Sequence, residues 1–557
     1  MPAKNFPWYH FGRGIYEDFT GRLPHYISDW TDSFSFLKQL FITEDDANCT
    51  QETDIESQAD KISMTQISTD TSPDSFCPLK KRANKYKWWD ETKKIVRSFM
   101  FVYISVFLPV LSFGSTNGLN TKDKISIQGT LLGQVVAGII YAVFSCQPLT
   151  ILMTTPPITL LIYLTYKIAD SINVDFLQFY AMTGIFIGMF LIIFAFANLS
   201  RCLIWVTHTV EEIFAIFTAY AFIHEVIKQN IMTYKEWYHE PVFLPNNTAT
   251  QLELAIIENG DKLDDREQWL LWLILELTTF VIAFYMYNTF KQTPYLRKSV
   301  RNFFADYSLF ISVIIVTLIY NTCFKDINFD PFVPHYIEDF NHKVLPFWNL
   351  NCNAVMTALG LAIPISILFF FDGGFTGIVT NSRKNGLKKP AGYHYDLMLV
   401  GIINIVMSLF GFPWLHQALP FSDFHVIHLA EVTTEKNNGK VKEKIVEGSV
   451  SEQRFTALFG HVLVGISIIK SVYVNLVMYI PQPCLDGVFL YLALSSLCDN
   501  GVIEKMALLI TEPSAYHDAE YLRKVPKGTI HMFSFTCLVQ VVILIIVGFY
   551  GMFWKNF

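Results

Sequence analysis

From residue 98 onward the chain is a succession of apolar runs separated by short polar loops, and many of these runs reach or approach the length of a membrane-spanning helix. About thirteen can be read, from SFMFVYISVFLPVLSF to FSFTCLVQVVILIIVGFYGMF. Such a chain cannot hide its apolar surface in globular cores: 52% of it is hydrophobic and only 16% charged, and its mean hydropathy is +0.33. The pattern predicts an all-α polytopic membrane protein and excludes soluble enzymes, fibres and disordered chains. A net charge of -7, with the basic residues in short clusters beside apolar runs, argues against a nucleic-acid partner.

Charge sets the orientation. Residues 1–43 are aromatic-rich and read as an amphipathic juxtamembrane segment on the cytosolic side, lying against the membrane or the body of the protein. Residues 44–97 read as a flexible acidic linker followed by a basic flank (KKRANKYKWWDETKKIVR), which places the N-terminus in the cytosol. No cleavable signal peptide precedes the first run, which acts as its own signal. The basic loops KQTPYLRKSVR and NSRKNGLKKPAGYH then fall on the cytosolic side, while the stretch NGDKLDDRE falls outside. The outer side also receives the glycosylation sequon at Asn246. Gly184 and Gly188 form a GxxxG read as close packing within the fourth run.

Two runs are abnormal. The third is broken by Pro148, Pro156 and Pro157, and the tenth by Pro413 and Pro420. Each stands third in a set of seven, the mark of an inverted repeat (residues 98–321 and 322–557) that holds its substrate between half-helix ends. A half-helix starting after Thr154 and Thr155, and another at Phe421 and Ser422, would aim free N–H groups and about half a positive charge each at the membrane midplane. Asp372, followed by Gly373 and Gly374 and with Thr376 one turn on, closes the apolar run FFFDGGFTG, where ionisation costs about 2.5 to 3.5 kcal/mol. It reads as a proton acceptor facing the half-helices, the alternative being an interfacial Asp that caps the next turn. His416 and His425 bracket the tenth break and are read either as a proton relay or as hydrogen-bonded aromatics.

His425 and His428 have no third ligand, so no metal is expected, and nothing calls for a cofactor. Cys323 and Cys352 could face one extracellular loop; a disulfide between them and separate burial are both open. The remaining seven of the nine cysteines are scattered.

The segments LKKPAGYHYDLMLVG, SLFGFPW, SEQRFTALFGHVLVGIS, IPQPCLDGVFLYLAL, TVEEIFAIF, RNFFADYSL and RLPHYISDWTDSF resemble the bicarbonate-transporter family, solute carrier family 4. SCQPLTILMTTPPITLLI and DFLQFYAMTG resemble its borate-transporter-like branch. The resemblance implies a fourteen-span inverted repeat, a core domain of spans one to four and eight to eleven moving against a gate domain, and a homodimer. It places Asp372 at the family's acidic residue in span eight, although Gly373 and Gly374 replace the amides that follow it there. Phe421 stands where bicarbonate transporters of the family carry an arginine. The family's large cytosolic domain is absent, and the chain stops after the thirteenth run.

The expected function is transport of H+ or OH-, with borate or ammonia-linked flux as variants, by a multi-pass protein of the plasma membrane surrounded by lipid. Exchange or cotransport of bicarbonate with chloride or Na+ is the alternative, and a non-transporting truncated form another. No nucleophile-base pair suggests an enzyme.

Overall fold

The computed structural model describes residues 11–31 and 77–546, with interruptions of which the longer are 238–248, 328–343 and 513–519. Asn246 lies outside the described residues. Capping side chains set the starts of several helices. Ser126 opens α3 by accepting the Gly129 N–H, Asp175 opens α5 by accepting that of Gln178, and Asn351 opens α10 by accepting that of Ala354. The first half runs α1 (Arg13–Thr31), α2 (Cys77–Thr121), α3 (Ile127–Phe144), β1 (Leu152–Met153), α4 (Pro156–Ser171), α5 (Phe176–Phe196), α6 (His208–Trp237), α7 (Ala249–Gln292), α8 (Lys298–Asp306) and α9 (Ser308–Cys323). The second half runs α10 (Cys352–Thr380), α11 (Tyr393–Leu409), β2 (His416–Gln417), α12 (Phe421–Leu429), β3 (Val432–Asn437), β4 (Lys440–Ile445) and α13 (Phe455–Ser467). It ends with α14 (Lys470–Leu476), α15 (Gln482–Cys498), α16 (Gly501–Ala507), α17 (Glu520–Lys524) and α18 (Lys527–Ile545).

Six described helices are long and apolar enough to cross a membrane, or seven if the pair α8 and α9, bent by 69°, is one span. Of the other apolar runs, the fifth lies in the 30-residue α6, the ninth, eleventh and twelfth form helices of 13 to 17 residues, and the two proline-broken runs form strand plus half-helix. The half-helices stand at matching places in the two halves, and β1 pairs antiparallel with β2, Leu152 opposite Gln417 and Met153 opposite His416. This is the inverted-repeat transporter fold expected from the prolines.

Two expectations are corrected, and one left open is decided. Residues 259–267, read as an external loop, are continuous helix within α7, because a helix already nucleated by the apolar run propagates at little cost per residue and the sequence sets Glu258 four residues before Lys262. The eighth run does not end at Asp372: α10 continues to Thr380 through both glycines, whose bare Cα atoms are covered by Gln417 and Leu203. Neither alternative left open for Cys323 and Cys352 is seen, since both are free and exposed thiols. One ends α9, which packs on α7 and α15, and the other opens α10, which packs on α5, so a shared loop does not bring them together. The GxxxG packs as expected: a Cβ at Gly188 would sit 2.5 Å from the Gly401 carbonyl, which fixes the close approach of α5 to α11.

Two apolar clusters divide the helices. One gathers α3, α4, α5, α10 and α11 around Phe179, Tyr180, Phe369 and Trp414. The other gathers α2, α6, α7, α9 and α15 around Phe107, Leu111, Leu275 and Phe489.

Helix α1 docks with its polar face. Arg22 and Asp29 are buried, while Tyr16, Phe19, Leu23 and Ile27 form an exposed apolar stripe at helical spacing. Arg22 Nη2 bonds Asp29 Oδ1 at 3.0 Å and Lys389 Nζ bonds the same oxygen at 2.7 Å, while Arg454 Nη2 holds Asp29 Oδ2 at 2.9 Å. Arg454 also donates to the carbonyls of Ala142, Val143 and Ser145, the otherwise unpaired C-terminal acceptors of α3. Asp18 accepts from the backbone N–H groups of His394 and Tyr395 at 2.6 and 3.2 Å, capping α11. Burial pushes Asp18 up to about 7, against the lowering effect of those two hydrogen bonds.

A carboxyl raised by folding binds its proton more tightly in the docked state, so its contribution to docking is full below its ordinary value near 4 and falls as pH rises to about 7. Limited proteolysis of the solubilised protein should therefore cut within residues 13–31 faster at pH 7.5 than at pH 5. Asp18→Asn should flatten that difference, and equal cleavage of the unmodified chain at both pH values would refute the linkage.

Candidate ion site between the two half-helices

The β1–β2 ladder brings the starts of α4 and α12 together. Ala418 donates its N–H to the Ile151 carbonyl at 2.9 Å, and Ile151 donates its own to Ser422 Oγ at 3.0 Å. Thr154 Oγ1 donates to the Trp414 carbonyl at 3.1 Å, and Trp414 stacks on Tyr180 with ring centroids 4.4 Å apart. Thr154 and Ser422 thus tie the crossing together.

Asp372 comes from α10 to meet this crossing. Its Oδ2 lies 2.8 Å from His416 Nε2, and Thr155 Oγ1 lies 2.9 Å from the same nitrogen. His416 Nδ1 faces the carbonyl of Gln417 at 2.8 Å. Thr376 Oγ1 donates to the Asp372 and Gln417 carbonyls at 3.0 and 3.1 Å, pinning α10 to β2. Asp372, His416, Thr155 and Thr376 are all buried.

The hydrogen-bond partners limit where protons can sit. A carbonyl only accepts, so Nδ1 of His416 carries a hydrogen toward Gln417. A neutral ring then presents a lone pair at Nε2, and a lone pair 2.8 Å from a carboxylate is repulsive unless a proton lies between them. The opposite tautomer moves the same clash to the Gln417 carbonyl. Nε2 thus stands between Thr155 Oγ1, which can donate to it, and Asp372 Oδ2, to which a shared proton would bond it.

The half-helix ends are less suited to an anion than the prolines alone imply. Pro156 and Pro157 fill the first two positions of α4, so Ile158 supplies the first free N–H there. In α12 the Ser422 N–H is bonded to the Ala418 carbonyl and Asp423 sits in the first turn. Phe421 buries its ring in the second apolar cluster.

His425 takes no part: Nδ1 bonds the Leu149 carbonyl at 2.9 Å and Nε2 lies 2.8 Å from Thr456 Oγ1. Gly373 lies against Gln417, and Gly374 gives room to Leu203 rather than to the crossing. Among the described residues no group of three His, Cys, Asp or Glu could hold a metal. Several contributors were missed in the sequence. Gln417 Nε2 donates to Tyr141, whose hydroxyl also bonds Thr150, and Gln134 donates to the Leu152 carbonyl at 2.6 Å. Asp396 accepts the N–H groups of Cys146 and Gln147 at 2.6 and 3.0 Å. The signal for Gln134 was the one used for Asp372, a polar side chain inside an apolar run. Beside Gly373 and Gln417 lies a cavity of about 20 Å³, also lined by Thr150, Asn381 and Asp396, enough for one water.

The model of the HCO3- transporter integral membrane domain matches residues 80–258 and 245–553. The chain belongs to the bicarbonate-transporter family, solute carrier family 4. Solute carrier family 4 member 11 of Mus musculus is 34% identical over 482 residues, covering 82% of this chain and 55% of that protein. Sodium bicarbonate cotransporter 3 of Homo sapiens is 28% identical over 498 residues, covering 79% of this chain and 40% of that protein. This solute carrier family 4 chain falls in the member-eleven-like branch, and it spans about half the length of the curated relatives it matches. The transmembrane domain of the cyanobacterial bicarbonate transporter BicA aligns with a TM-score of 0.52 at 16% identity, over 82% of this chain and 97% of that one. That likeness bears on the fold alone.

Proposed function

We propose that this multi-pass membrane protein moves H+ or OH- equivalents, and that Asp372 and His416 carry the proton. The observation behind this reading is the Nε2–Oδ2 contact of 2.8 Å with Nδ1 committed to a carbonyl. A site that stores a single proton between two buried side chains exchanges it readily once either half-helix opens to water. Thr155, bonded to the same nitrogen, offers the first acceptor on the way in or out. The protein acts in this reading at the plasma membrane as a homodimer with its N-terminus in the cytosol, the side on which the positive-inside rule puts the basic loops.

Bicarbonate transport, which the cotransporter relatives' names suggest, is less well served. Phe421 is apolar, one half-helix has two prolines for its first donors, and the other carries its own acid. Cells expressing the chain should show pH-driven current and intracellular pH change in bicarbonate-free medium. Phe421→Arg should lower that flux and add a bicarbonate-dependent component. Robust bicarbonate exchange by the unmodified protein, with no flux when bicarbonate is withdrawn, would refute the reading.

A further inference from the structure

The second apolar cluster contains acids that the crossing does not use. Glu276 on α7 and Asp486 on α15 are 2% and 5% exposed. The two helices touch there: a Cβ on Gly487 would lie 2.6 Å from the Glu276 carbonyl and 2.7 Å from Thr279. Glu276 Oε2 accepts from Asn230 of α6 at 2.7 Å. Asp486 lies within electrostatic reach of Glu276 and of Glu225 on α6, and its Oδ2 has no hydrogen-bond partner among the described residues. On α2, Asn117 is fully buried with neither side-chain polar atom bonded among the described residues.

Charge does not balance. Among the described residues no salt bridge reaches Glu276 or Asp486, and the ammonium of Lys228 on α6 is engaged by Glu225 at 3.2 Å, Asn120 of α2 at 2.9 Å and the face of Tyr163 at 4.8 Å. Lys228 has His224 beside it on the same helix. From α9 the neutral Thr317 lies beside Cys484 of α15. If every carboxyl were ionised, three anions would face one ammonium inside a body that crosses the membrane, where an unpaired charge is strongly penalised. A metal ion does not answer this, since the described residues offer no three-ligand group and α7 and α15 are in contact at Gly487. A proton needs no room.

We propose that Glu276 and Asp486 form a second proton-binding site, holding at least one proton between them in the folded protein and releasing it at alkaline pH. Asp486 Oδ2, the unpartnered acceptor, is the atom that takes it. In part this rests on the proton-transport reading above, because occupancy of this site would then set the pH at which α6, α7 and α15 move against the other cluster.

The first test does not depend on transport. The protein in lipid nanodiscs is melted between pH 5.5 and 8.5, unmodified and as Glu276→Gln with Asp486→Asn. Neutral amides mimic the protonated acids, so both proteins should melt alike at pH 5.5, and the variant should melt higher at pH 8.5. The same offset at both pH values would overturn the proposal, as would failure of the double variant and of both single variants to fold. Asp486→Glu should restore the pH dependence. In cells, the double variant should shift the pH midpoint of flux by a unit or more, whereas superimposable profiles would count against the site. Absence of any pH-driven flux in the unmodified protein would remove the transport reading, while the melting comparison would still decide the site.

Discussion

Asp372→Asn should abolish pH-driven flux while leaving the protein at the cell surface. The amide keeps the shape of the carboxyl and can donate to His416 Nε2, so the crossing stays bonded. What it loses is the exchangeable proton. Because the neutral ring with Nδ1 held by Gln417 is then satisfied by a fixed donor, the site has nothing to release. A buried polar contact replaced in kind costs about 1 kcal/mol of stability, so surface biotinylation should stay within about twofold while flux falls to background. Normal flux in this variant would remove Asp372 from the mechanism, and an absent protein would show that the contact is structural. His416→Gln is the companion measurement: it also loses the titratable ring and should match Asp372→Asn in flux.

The second large effect concerns Arg454, which touches no part of the crossing. Its side chain is fully buried, pairs with Asp29 of α1 and closes three carbonyls at the end of α3. Arg454→Ala leaves three buried carbonyls without their donor, at about 1 to 3 kcal/mol for each unsatisfied group, while Asp29 keeps Arg22 and Lys389. Arg454→Lys keeps the charge but not the planar fork, and one ammonium cannot reach Asp29 and three carbonyls together. Thermal melting after detergent extraction should therefore rank the unmodified protein above Lys and Lys above Ala, with α1 becoming protease-sensitive first. A melting midpoint for Arg454→Ala equal to that of the unmodified chain would show that α1 docks by other means.

The half-helices were legible because proline leaves a mark no tertiary contact can erase: Pro156 and Pro157 fix where α4 starts. Asp372 was legible because a carboxyl among phenylalanines has few innocent explanations. His416 and His425 were not separable in the sequence. They differ only in what faces them, Asp372 for one and the Leu149 carbonyl for the other, and both partners lie far away along the chain. The Asp29–Arg454 pair was likewise hidden, its members sitting more than 400 residues apart. Helix lengths were less legible than the order of the runs, since several runs read as spans fold, among the described residues, as helices of 17 residues or fewer. Composition reports apolar surface, whereas helix length depends on which prolines and neighbours interrupt it.

The two-residue ladder between β1 and β2 also constrains how the protein comes to be made. Leu152 and Gln417 pair across more than 260 residues, so the strand that completes the first half of the crossing leaves the ribosome long before its partner. Closing so long a loop adds little to the equilibrium cost, about 0.6 kcal/mol per doubling, but pairings of such separation form slowly. Until Gln417 arrives, the free edges of Leu152 and Met153 and the open end of α4 are backbone polar groups with no ladder to join inside a bilayer. The nascent first half must therefore wait in an unsatisfied state, which makes the interval before the tenth apolar run emerges the window in which chaperones and quality control would meet this protein.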